Sequence, residues 1–102
     1  MYEAASKILS YTEGMDFNSF QDDERTVDAV IRNFEIIGEG ANRLDDEYRN
    51  SHPEIHWGQI RGFRNRIIHE YFGIDREIVW QIIEDDINPL LESLDMMMKL
   101  LD

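Results

Sequence analysis

The residues from Arg64 to Tyr71 read Arg-Asn-Arg-Ile-Ile-His-Glu-Tyr, and they are the stretch of this chain best suited to chemistry. An arginine supplies a fixed cation for phosphate, and a histidine moves protons near neutral pH. Together they fit metal-independent cleavage of RNA. A neutral imidazole at His69 takes the proton from a ribose 2′-OH, the freed oxygen attacks the adjacent phosphorus, and guanidinium groups stabilise the charge gathering on the phosphoryl oxygens. An unperturbed imidazole, with a pKa near ~6.5, serves as base or acid at physiological pH. DNA lacks the nucleophile and should be inert. No cofactor and no metal is required.

Spacing refines this reading. On a helix, Arg64 and Tyr71 lie about 20° apart, while Asn65 and His69 share a face, so the amide can fix the orientation or tautomer of the imidazole. Arg64 and His69 are about 140° apart. A site completed by a second copy of the same helix across a two-fold axis would gather two arginines and two histidines in one cleft, so a homodimer is expected. Arg61 and Arg66 flank Arg64 in a short run without acids and would support phosphate binding. Quieter readings stand beside these. His69 could only complement a helix C-terminus. Arg64 could be a surface ion-pair partner, and Tyr71 a packing aromatic with a wet hydroxyl.

The chain that must position these groups has 102 residues, enough for one domain with a modest core. Its 42% hydrophobic content is that of a globular protein. No apolar run approaches a membrane span, and no basic-then-apolar leader follows Met1, so a soluble cytoplasmic protein with no membrane partner is expected. The absence of cysteine excludes disulfides, thiol nucleophiles and thiolate metal sites. Ten basic residues against 22 acidic ones leave a net charge of −12, which opposes general polyanion binding. RNA contact must then be local.

Apolar periodicity predicts an all-α chain: an antiparallel, up-down four-helix bundle with long second and fourth helices. The first helix runs from about Tyr2 to Tyr11, ending before Gly14. Ser19 is a plausible N-cap for a second helix reaching about Arg49, roughly 40 Å long, with Val27, Val30, Ile31, Phe34, Ile37, Ala41, Leu44 and Tyr48 in one stripe. Gly38 and Gly40 within it require another backbone to pack closely. Asn50 to Trp57 is a connector. The third helix is expected from about Gly58 to Tyr71, burying Ile60, Phe63 and Ile67 and ending at Gly73. Asp75 caps the fourth, whose stripe is Ile78, Val79, Ile82, Ile83, Ile87, Leu90, Leu91, Leu94 and Leu101. Pro89 lacks an N–H for the Asp85 carbonyl and should kink it.

Two further clusters invite a function. Met96, Met97 and Met98 fan round the helix, as either an exposed C-terminus or an adaptable contact surface. His52 and His56 are four apart, but Pro53 between them and the absence of an obvious third ligand argue against a metal site.

Three segments in order, Arg32-Asn33-Phe34-Glu35-Ile36-Ile37-Gly38-Glu39, His52-Pro53-Glu54-Ile55-His56-Trp57 and Arg64 to Tyr71 followed by Phe72-Gly73-Ile74-Asp75, resemble the HepT-like branch of the HEPN superfamily, whose signature is Arg-x4-His-x-Tyr. The resemblance runs from about Tyr11 to the end of the fourth helix. It implies an all-α bundle that dimerises with the motif at the interface, and a toxin ribonuclease usually encoded beside a minimal nucleotidyltransferase antitoxin. It also implies that Arg64 and His69 are the catalytic pair, that Asn65 is the polar residue beside the arginine, and that Tyr71 is the hydroxyl the antitoxin modifies with AMP (AMPylation). A phosphate added beside Arg64 would block the cleft and compete for its cation. The first helix looks shorter at its start than is usual, and Gly40 and His56 stand where alanine and proline are more common. A different reading is a non-catalytic helical subunit that only serves a nucleotidyltransferase as partner and substrate. A third is a plain structural bundle.

Overall fold

Tyr2–Thr12 (α1) buries Ala4, Ala5 and Ile8 on one face, and Thr12 closes it by donating its hydroxyl to the Ile8 carbonyl at 2.8 Å. Gly14, at φ 76°, turns the chain in the left-handed region that glycine enters freely. The computed structural model describes residues 1–58, 60–62, 68–69 and 73–101, and for 68–69, 73–74, 97–98 and 100–101 it describes the backbone alone.

The single long second helix expected from the apolar stripe is three helices: α2 (Phe17–Asp22), α3 (Glu24–Arg43) and α4 (Asp46–Ser51). Aspartates make the breaks. Asp16, not Ser19, caps α2, its carboxylate accepting the Ser19 N–H at 2.8 Å. Asp23 is extended at φ −104°, ψ 91° and accepts the Thr26 N–H at 3.1 Å. Asp45 does the same for Tyr48 at 2.7 Å. An aspartate that bonds the N–H three residues on offers the backbone an alternative to the continuing helix, and an unbroken stripe cannot reveal it. Within α3 the stripe holds: Val27, Val30, Ile31, Phe34, Ile37 and Ala41 are buried. Leu44 and Tyr48 pack at its margin. Arg49 satisfies the end of α3, donating to the carbonyls of Ala41, at 2.9 Å, and of Leu44, and also pairing with Asp46. Gly40 is closely approached by the Met1 side chain, which a Cβ there would strike, rather than by another backbone.

The connector contributes more core than its composition suggests. Ile55 and Trp57 are buried, and the Trp57 indole donates to the His52 carbonyl at 3.0 Å. Residues 57–58 and 60–62 are helical (α5), with Ile60 buried. The expected third helix does not continue to Tyr71. Ile68–His69 (β1) is extended and pairs antiparallel with Gly73–Ile74 (β2), Ile68 opposite Ile74 and His69 opposite Gly73. Gly73 is therefore a strand residue rather than a helix terminator. The consecutive β-branched Ile67 and Ile68 suit an extended backbone better than a helical one. Phe63 and Ile67, expected in the core, lie outside the described residues.

Asp75 caps α6 (Arg76–Asp85) as predicted, accepting the Ile78 N–H at 3.1 Å. The expected kink is a break at Asp86, after which α7 (Ile87–Leu101) begins. Pro89 is the third residue of α7, where a missing N–H costs nothing because the first four have no helical partner. Val79, Ile82, Ile83, Ile87, Leu90 and Leu94 are buried, with Ile78 and Leu91 packed against them, while the Leu101 side chain is outside the described set. The fold is all-α, a helical bundle in which α1 packs on α3 and α7, α6 on α7, and α2 on α3 and α6. Phe20 of α2, fully buried, meets Trp80 of α6 with ring centroids 5.1 Å apart.

Candidate functional site

The segment expected to carry the chemistry lies between α5 and the Asp75 cap of α6. At its near end, burial of Trp57 and Ile60 fixes the face that α5 turns inward and leaves position 61 facing out. Arg61 is exposed, and its Nε donates to Oδ1 of Asn42, on α3, at 2.8 Å. At its far end, β2 leads through the Asp75 cap into the buried face of α6. Between Glu54 and Glu70 there is no acidic residue, whereas Arg61, Arg64 and Arg66 all fall there.

Arg64, Asn65, Arg66 and Tyr71 lie outside the described residues, and His69 is described only in its backbone. Since that backbone is extended, the helical angles expected between Asn65 and His69, and between Arg64 and His69, do not apply. Neither does a role for His69 at a helix C-terminus. Its backbone instead pairs with that of Gly73.

Two histidines of the connector have separate partners. The His52 ring lies 4.6 Å from that of Tyr48, and its Nδ1 is 3.3 Å from the Glu54 carboxylate. His56 Nδ1 is 2.6 Å from Oδ1 of Asp86, at the joint between α6 and α7. Among the described residues no three His, Cys, Asp or Glu side chains are grouped to hold a metal ion. The hydroxyl of Tyr48 meets the buried Ser93 side chain of α7 at 3.1 Å, tying α4 to α7.

The sequence contained a usable signal for Trp57, since a tryptophan in a short connector has little reason to be there unless it is buried with its N–H satisfied. It contained none for Asn42 with Arg61 or His56 with Asp86, whose partners lie 19 and 30 residues apart. Of Met96, Met97 and Met98, only the Met96 side chain is described, and it is 60% exposed on α7. Among the described residues no helix is long and apolar enough to cross a membrane.

Comparison with known proteins bears on the whole chain. A family model described as "Ribonuclease HepT-like" matches residues 1–97. A protein of Methanocaldococcus jannaschii named "Putative RNase MJ1380" is 36% identical over 85 residues, covering 83% of this chain and 78% of that one. One from Thermococcus cleftensis named "Probable ribonuclease HepT" is 38% identical over 88 residues, covering 86% and 80%. No solved structure matches.

Proposed function

The chain belongs to the HepT-like ribonuclease family, and from that premise we propose that it is a toxin that cuts RNA without a metal, at a site formed by two copies of the motif from Arg64 to Tyr71. The observation that carries this reading is the motif itself, Arg64-x4-His69-x-Tyr71, in a chain whose family match spans it on both sides. The acid-free run around it supports the reading, as does the helical frame that anchors the run at both ends.

In this mechanism one His69 imidazole accepts the ribose 2′-hydroxyl proton as the oxygen attacks the adjacent phosphorus. The bond from phosphorus to the 5′-oxygen breaks, and that oxygen takes a proton from a protonated imidazole. Arg64 neutralises the charge building on the non-bridging oxygens, with Asn65 and Arg66 in support. Regulation follows from the tyrosine. A minimal nucleotidyltransferase antitoxin would join the Tyr71 oxygen to the α-phosphorus of ATP, expelling pyrophosphate, and the new phosphate would occupy Arg64.

The test is cleavage of single-stranded RNA with EDTA present. Wild type should cut, and Arg64→Ala and His69→Ala should each lose at least about a hundredfold in kcat. Persistent cutting by both variants would remove the catalytic pair. The net charge of −12 favours a second reading, a subunit that only docks on a basic nucleotidyltransferase. Modification of Tyr71 in a chain that never cuts RNA would select it.

A further inference from the structure

We infer that Arg61, tethered by Asn42, is a phosphate contact for the RNA strand outside the cleavage pocket, and that Asn42 is its positioning residue. This rests on the ribonuclease reading above and adds a binding site on described residues of α3 and α5.

A contrast among the cations points there. Both lysines of the chain are neutralised within their own helices, Lys7 by Glu3 at 3.4 Å and Lys99 by Asp95 at 3.0 Å. Arg49 is turned inward onto carbonyls and Asp46, and Arg76 donates to the Gln21 carbonyl. Arg61 is different. It is exposed, and the group that holds it is a neutral amide oxygen, so its full positive charge is kept while its orientation is restrained. Among the described residues no carboxylate pairs with it. In a chain with more than twice as many acids as bases, that arrangement preserves a charge that acids elsewhere would cancel.

The tether also selects a geometry. A guanidinium has N–H groups at Nε and on both Nη atoms. With Nε engaged by Asn42, the end-on fork of Nη1 and Nη2 is what remains, and it suits two oxygens of one phosphate. Among the described residues nothing crowds the helix surface beside it. A Cβ at Gly58 or at Gly62 would meet no atom within 4 Å, so a strand could run past α5 close to its backbone. Arg61 lies three residues before Arg64 in the sequence, within the same acid-free run as the proposed cleavage motif.

The test uses the full chain in two assays: cleavage of a single-stranded RNA, and binding of the same sequence carrying 2′-O-methyl groups, read by fluorescence anisotropy across a salt series. Arg61→Gln should raise KM and Kd about tenfold, with kcat within about twofold, and should lower the slope of log Kd against log salt by about 0.7, the share of one phosphate on a single strand. Asn42→Asp should do the same, because a carboxylate there cancels the charge. The double variant should be no worse than either single one. Lys7→Gln, which removes the same charge from a neutralised pair, should leave both assays at wild-type values. If wild type cuts RNA while Arg61→Gln and Asn42→Asp keep its KM, Kd and salt slope, the inference is overturned and the ribonuclease reading stands. If wild type cuts nothing yet binding falls with both variants, the contact stands and the ribonuclease reading falls. A change in thermal stability with unchanged binding would make the pair purely structural and also overturn the inference.

Discussion

His56 and Asp86 form a 2.6 Å hydrogen bond that joins the connector before α5 to the break between α6 and α7. The imidazole is 57% exposed and the carboxylate only 6%, so the pair is a surface ring held over a buried acid. Asp86 stays in the backbone network through its own N–H to Ile82 and its carbonyl from Leu90. His56 is therefore the partner its side chain finds among the described residues.

Removing that partner should leave the carboxylate buried without compensation. His56→Ala is expected to lower the free energy of unfolding by about 1–3 kcal/mol. Adding Asp86→Asn should recover much of the loss, since a neutral amide is cheaper to bury than a charge. Urea titrations of the four proteins in the cycle measure the coupling, and a cycle in which the two substitutions simply add would deny the pair any role.

Acid should loosen the starts of α2 and α3. The Ser19 N–H bonded to Asp16, and the Thr26 N–H bonded to Asp23, each hold a carboxyl below the ordinary carboxylate value. A group whose folded pKa is depressed contributes stability above its unfolded pKa, about pH 4, and loses it as the pH falls through the lower folded value. Asn caps a helix as well as Asp but does not titrate. Asp16→Asn/Asp23→Asn should therefore show a shallower loss of stability between about pH 4 and pH 2 than wild type. Identical profiles in guanidinium melts would assign the acid sensitivity to other carboxylates.

Gly62 tests whether packing within the chain demands glycine. It is helical, and an added Cβ would meet no atom of the described residues within 4 Å. Gly62→Ala is then expected to stabilise the fold by up to ~1 kcal/mol through helix propensity alone. A lower melting temperature would show that the space is occupied in solution.

Modification should follow Tyr71. Incubated with ATP and the minimal nucleotidyltransferase proposed as its antitoxin, the wild-type chain is expected to gain AMP in intact mass, and Tyr71→Phe is expected to gain none. The modified chain should also lose cleavage, because the added phosphate competes with RNA for Arg64. An undiminished mass gain in Tyr71→Phe would move the acceptor elsewhere.

Much of this protein was legible from residue order, for identifiable reasons. The stripes over Val27–Ala41 and Val79–Leu94 repeat at helical spacing, so the class and most of the core follow from periodicity. Asp75 as a cap is a local effect of a single residue, and Pro89 signals an interruption close by, which the structure places at Asp86. The breaks at Asp23 and Asp45 were local too, but a stripe that continues across them concealed the change of axis.

The chemistry proposed for the motif likewise rests on residue type: a cation, an imidazole and a phenol at fixed spacing, inside a run free of acids. Its backbone was not. Whether Ile68–His69 extends or coils depends on a strand partner at Gly73–Ile74, and propensity alone does not supply one. The pairings of Arg61 with Asn42 and of His56 with Asp86 likewise needed the fold, because a hydrogen bond depends on separation in space and these partners are distant along the chain. Local rules thus determined which groups the protein has and that it is helical. Tertiary packing decided which exposed cation is tethered, which acid is buried, and how the backbone of His69 is held.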